Sequence, residues 1–141
     1  YDVSIDNPVG MVQQSIRYVG AGMDNQWYVA DDIPSHYTSY EYYTEGDTHR
    51  QITYNDPGAD QQWFTNDDVI QQYTERTKNA DGILVRYSIF DAAGSDGVWL
   101  TMDDIPSYYI RYSNINGVIS SEPFNNPGAD NVWFTEDDLY I

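Results

Sequence analysis

Apolar and polar residues alternate with a period near two in Val85-Arg86-Tyr87-Ser88-Ile89-Phe90 and again in Tyr108-Tyr109-Ile110-Arg111-Tyr112. That is the pattern of a strand with one face buried. Tyr37 to Tyr43 is rich in tyrosine with a looser alternation. β-Branched and aromatic residues dominate these stretches, and no long helical periodicity competes with them. Asn79-Ala80-Asp81-Gly82 and Asn114-Ile115-Asn116-Gly117 carry the residues of hairpin turns. The alternation predicts Tyr and Ile on the inner face, with Arg, Ser, Thr and Glu outside.

The strand segments recur at a fixed interval. Tyr1, Tyr37, Tyr73 and Tyr109 open four segments, the first three 36 residues long. The aromatic positions Tyr18, Tyr54, Phe90 and Phe124 follow in phase, and so do Trp27, Trp63, Trp99 and Trp133, all the tryptophans of the chain. The fourth segment lacks two positions, both in its first half. The second half never changes length and reads Gly-x-Asp-x-x-Trp-x-Thr-x-Asp-Asp, with Val29 replacing Thr in the first copy. Constant length is what a defined loop geometry demands.

Each segment thus predicts strand, glycine turn, strand and acidic loop. One hairpin cannot bury an apolar face alone, whereas stacked repeats can. The expected fold is all-β: β-hairpin repeats of about 36 residues (1–36, 37–72, 73–108 and 109–141) stacked as one solenoid-like or filament-forming array. A small four-bladed propeller is the alternative, although such a repeat is lean for four strands per blade. Tyr1 in place of Met implies processing or a longer parent chain. Open strand edges at the ends of an array invite end-to-end association of copies.

Composition narrows the partners. The net charge is −17, which disfavours nucleic acid and anionic membrane surfaces. No stretch is long and apolar enough for membrane insertion as a helix. There is no cysteine, so disulfides and thiolate metal sites are excluded. Twelve of the 23 acids are motif aspartates, so the acidity is concentrated in the loops. Four equivalent loops also argue against an enzyme with one catalytic centre. No Ser-His-Asp arrangement, phosphate-binding loop or dinucleotide fingerprint occurs. His36 and His49 fall at different phases of the repeat and read as surface residues.

Two readings of the acidic loop stand side by side. Asp24, Asp31 and Asp32, Asp60, Asp67 and Asp68, Asp96, Asp103 and Asp104, and Asp130, Asp137 and Asp138 form four sets of three carboxylates. A hard cation such as Ca²⁺ takes several carboxylate oxygens, and clustered carboxylates need a counter-charge. These twelve residues are therefore the candidate calcium ligands. The other reading is structural: Thr65-x-x-Asp68, Thr101-x-x-Asp104 and Thr135-x-x-Asp138 fit a capping box that would open a single helical turn. Capping leaves the first aspartate of each loop unexplained. The tryptophans are either plugs between repeats or exposed stacking platforms for glycans.

The Gly-x-Asp-x-x-Trp-x-Thr-x-Asp-Asp loop resembles tandem repeats of bacterial secreted and surface proteins, whose acidic loops are generally taken to bind calcium. The resemblance covers all four repeats. The hairpin half, as in Asn79-Ala80-Asp81-Gly82-Ile83-Leu84-Val85-Arg86, is faintly similar to YD/RHS repeats. What the resemblance implies is an extracellular or cell-surface setting and a structural or adhesive role.

Overall fold

The computed structural model describes all 141 residues. The chain is all-β, with no helix. It divides into two compact units, Tyr1–Gln71 and Gln72–Ile141, each holding two of the four repeats. The strands are β1 (Asp2–Asp6), β2 (Val12–Gly20), β3 (Ile33–Tyr42), β4 (Thr48–Asp56), β5 (Val69–Lys78), β6 (Leu84–Ala92), β7 (Ile105–Ile115), β8 (Val118–Asn126) and β9 (Leu139–Tyr140). Within the first unit β1 to β4 pair antiparallel in sequence order, and β5 to β9 do the same in the second. No helix is long and apolar enough to cross a membrane.

Each repeat contributes one hairpin. In the first and third, the Asn7 and Asn79 side chains accept two backbone N–H bonds across a five-residue turn. A one-residue bulge follows each of the first three turns, at Ile5/Asp6, Glu41/Tyr42 and Thr77/Lys78. The fourth repeat differs here. β7 and β8 stay in register from Tyr109↔Phe124 to Ile115↔Val118, and the turn is Asn116-Gly117 alone, both at positive φ. That backbone matches the twist of the hairpin and suits Asn-Gly. The two missing positions are the bulge and turn residues of the other copies.

The connection between hairpins is the acidic loop. The tyrosine that opens each later repeat lies inside the following strand, because β3, β5 and β7 begin four residues earlier. Pro34 and Pro106 sit beside register shifts near the start of β3 and β7, where no ladder donor is needed.

The core face is built on Ile16, Tyr37, Ile52, Tyr73, Phe90, Tyr109 and Phe124. Each repeat's first tyrosine stacks on the aromatic of its partner strand. The ring centroids lie 4.5 Å apart in Tyr37–Tyr54 and Tyr73–Phe90, and 4.6 Å apart in Tyr109–Phe124. In the second unit the expected facing is reversed. Ser88, 1% exposed, shares the core face with Phe90, and Arg86 lies 3.8 Å over the Phe134 ring. By strand alternation, Tyr87, Ile89, Tyr108 and Ile110 turn to the opposite face. Hydrophobicity alone would have chosen otherwise. The facing follows Tyr109, which must reach its aspartate.

Candidate functional site: the acidic loops

Three residues of each loop adopt left-handed backbone conformations. In the second loop they are Gly58 (φ 68°), Gln61 (φ 56°) and Phe64 (φ 69°). The other loops repeat this at Gly22, Asn25 and Tyr28, at Gly94, Gly97 and Leu100, and at Gly128, Asn131 and Phe134. A bulky residue in this region costs about 1–2 kcal/mol. The glycine is required twice over, because a Cβ on Gly58 would stand 2.2 Å from the Asp67 carbonyl oxygen.

These left-handed residues turn successive backbone N–H groups inward, making concave amide nests of the kind that bind anions. The loop's own aspartates fill them. Asp67 Oδ2 accepts the N–H of Asp60 at 3.0 Å, and its Oδ1 lies 2.8 Å from the Thr65 hydroxyl. Asp103 Oδ2 accepts the N–H groups of Ser95 and Asp96 and the Ser95 hydroxyl. Asp137 accepts from Ala129, Asp130 and Thr135 in the same way. These donors favour the charged form. The Asp60 amide, then the Thr65 hydroxyl, lower the pKa of Asp67, and the Thr101 hydroxyl, then the Asp96 amide, hold Asp103 well below the usual carboxylate range. Asp137 is lowered by Thr135 first.

The second aspartate of the pair is buried and reaches further. Asp68 Oδ2 accepts the N–H of Phe64 at 2.7 Å and of Thr65 at 3.2 Å. It also accepts the Tyr37 hydroxyl at 2.6 Å, from 31 residues upstream. Asp104 does the same for Tyr73 (2.7 Å) and Asp138 for Tyr109 (2.5 Å), while Asp32 takes the Tyr1 hydroxyl. The first tyrosine and last aspartate of every repeat are thus joined. Burial, then the bond to Asp32, pushes the Tyr1 phenol up to about 12. Burial, then the aspartate bond, raises Tyr37 and Tyr109 as well.

The first aspartate, which capping left unexplained, has its own bond. Asp60 Oδ1 accepts the N–H of Gln62 at 2.7 Å, and Asp24, Asp96 and Asp130 make the equivalent bonds to Gln26, Val98 and Val132. This is an Asx turn. The anticipated capping box is half present: the aspartate accepts the Thr65, Thr101 and Val29 N–H groups, but no helix follows.

The twelve aspartates therefore lie together in threes along the chain, but their oxygens point into separate amide pockets. No group of three or more Asp, Glu or His side chains gathers around a point where a metal would sit. As arranged, the residues do not fit a resident calcium ion, since amide N–H dipoles already aim at the oxygens that a cation would need.

The tryptophans fall between the two expectations. Each stands edge-on to the anchored tyrosine, with centroids 6.1 Å apart in Tyr37–Trp63 and an interplanar angle of 78°. Tyr1–Trp27, Tyr73–Trp99 and Tyr109–Trp133 repeat the geometry. Trp27 is 47% exposed and the other three are half-buried. One indole edge seals the tyrosine while the rest meets solvent. In the second unit Met102, Asp103, Asn131 and Trp133 line a shallow groove of about 270 Å³ between two successive loops.

No family model and no curated protein matches the sequence. Among solved structures, a protein of unknown function from Bacteroides fragilis matches with a TM-score of 0.51 and 15% identity, over 100% of this chain and 92% of that one. A DUF3836 family protein from Parabacteroides distasonis matches with a TM-score of 0.39 and 14% identity, over 74% of this chain and 90% of that one. The first likeness is one of fold, and neither assigns an activity.

Proposed function

We propose that this chain is a structural or adhesive repeat module of an extracellular or cell-surface protein, and not an enzyme. One observation carries the reading: all four loops close their repeat by the same Tyr–Asp bond and bind their own carboxylates in their own amides. Such loops are rigid fasteners. A catalytic carboxylate pair would instead face a substrate across a cleft, with its oxygens free. Each repeat supplies two strands, which favours a growing hairpin array over a four-bladed propeller. Resident calcium is the rival account of the same aspartates, and it requires them to leave their amide partners.

End-to-end growth of copies into filaments is the finer form of this reading. One feature opposes it at the last hairpin. At the phase held by buried Ile16, Ile52 and Ser88, the fourth repeat has Glu122, ion-paired to Arg111 at 2.9 Å. A following repeat would have to bury that pair, at a desolvation cost. A glycan-binding role is the second reading, favoured by the exposed face of Trp27 and the groove beside Trp133. A glycan array and electron microscopy of the purified protein distinguish these. Binding to no glycan, with particles that coat or bridge surfaces, supports the structural module. Turnover of a glycan by the purified chain would refute it.

A further inference from the structure

The reversed facing of the second unit leaves an apolar surface with nothing packed on it. Opposite the core, β6 presents Val85, Tyr87 and Ile89, and β7 presents Tyr108, Ile110 and Tyr112. The register places Tyr87 beside Ile110 and Ile89 beside Tyr108. Val85 and Tyr112, two residues further along each strand, continue the alternation. The result is a checkerboard of large aromatic and smaller aliphatic side chains. Each is half-buried, shielded by its neighbours within the sheet.

The same positions in the first unit, 72 residues earlier, are Gln13, Ser15 and Arg17 on β2 and His36, Thr38 and Tyr40 on β3. That face is polar, and Thr38 meets Thr53 through their hydroxyls at 3.2 Å. The core faces of the two units share their plan, so the hairpin fold does not ask for Tyr and Ile on the outside. Some contact specific to the second unit does.

We propose that this face is the docking site for the same face of a second copy of the chain. The checkerboard is self-complementary. Under a two-fold axis lying along the strands in the plane of contact, β6 of one copy covers β7 of the other. Tyr87 then meets Ile110, Ile89 meets Tyr108 and Val85 meets Tyr112, so large meets small in every row. Such a contact is isologous and closes as a dimer. Its geometry is that of two sheets packed face to face, about 10 Å apart.

Charge agrees with this choice. The flanking positions are Thr74 and Arg76 on β5 and Ser121 and Pro123 on β8, so the face carries no carboxylate in a chain of net charge −17. Arg76 lies 5.5 Å over the Tyr87 ring. Absence of acids in the centre of a patch is what interface cores show. Four strands about 4.8 Å apart, over about six residues each, give a footprint of roughly 400 Å². With side-chain relief this approaches the roughly 600 Å² per partner at the low end of stable interfaces, so a dimer of about micromolar affinity is expected.

The test is sedimentation of the intact chain from about 1 to about 100 μM, a range that brackets that affinity. Its partner is a variant carrying the first unit's residues: Tyr87→Ser, Ile89→Arg, Tyr108→His and Ile110→Thr. These side chains already stand on a folded hairpin pair at the same phase, and circular dichroism checks that the variant is folded. A single Ile110→Lys variant is the second probe. A concentration-dependent dimer that both variants convert to monomer is the expected result. An intact chain that stays monomeric throughout would overturn the proposal. So would assemblies that persist in both variants, which would point instead to the strand ends and leave the structural-module reading standing.

Discussion

The Tyr37 hydroxyl donates to the buried carboxylate of Asp68 at 2.6 Å, tying the first residue of a repeat to the last residue of its loop. Asp68 is 8% exposed and Tyr37 is 4% exposed, so water does not substitute for either partner. The same carboxylate holds the strained Phe64 by its N–H. One residue therefore sets the loop conformation, the position of the stacked aromatic pair and the face that the strand turns inward.

Val29 marks the one loop without a hydroxyl at its sixth position. In the other loops that threonine sits 2.7–2.8 Å from the first aspartate of the Asp-Asp pair. Val29 is 38% exposed, so a threonine fits without a cavity. Val29→Thr is expected to stabilise the first unit by about 0.5–1 kcal/mol, read from urea unfolding. A loss of stability would mean that the first loop differs from the others in more than its side chain.

Two glycines separate strain from crowding. Gly82 has φ +76° with open space around an added Cβ, whereas Gly58 has φ +68° and the Asp67 carbonyl in the way. Gly82→Ala is expected to cost about 1 kcal/mol and Gly58→Ala clearly more, about 3 kcal/mol or above. Equal losses would remove the close approach from the explanation.

Stability should fall at both extremes of pH. Asp67, Asp103 and Asp137 have folded pKa values below their unfolded ones. Their contribution is complete above about pH 4 and is lost as pH falls toward the folded values. Tyr37 and Tyr109 are raised, so their contribution is complete below about pH 10 and is lost as pH rises beyond it. Melting temperature against pH should form a plateau between these limits. Replacing Tyr37 and Tyr109 with Phe should flatten the alkaline limb, and an unchanged limb would contradict the assignment.

Calcium offers a direct contrast. A resident ion would raise the melting temperature by ligand linkage and chelator would reverse it. With the aspartates already held by amides, chelator should leave the midpoint unchanged within about 1 °C, and millimolar Ca²⁺ should add no more than a screening effect at these exposed loops. A chelator-sensitive midpoint would favour the calcium reading of the twelve aspartates.

The repeat, the hairpins, the constant loop and the two deleted positions were all legible in the sequence, because each is a matter of local residue type and spacing. The Tyr–Asp bond was not. Its signal was present, since tyrosine opens and aspartate closes every repeat at matching phase, but the partners lie 29 to 31 residues apart. The acids also suggested metal because carboxylates attract cations in general. The competing anion sites are backbone amides, which no side-chain pattern displays. The facing of β6 and β7 escaped for a related reason. Alternation shows that two faces differ, and only the anchored Tyr109 decides which of them goes inside.

A double-mutant cycle on Tyr37 and Asp68 gives the most direct test of the loop as a self-fastened unit. Tyr37→Phe, Asp68→Asn and the double variant would be unfolded in urea beside the wild type. Each single change should cost about 1–3 kcal/mol, and the double variant should cost less than their sum by about 1 kcal/mol or more. Additive losses, with coupling below about 0.3 kcal/mol, would show that the bond between the two residues does not hold the repeat closed.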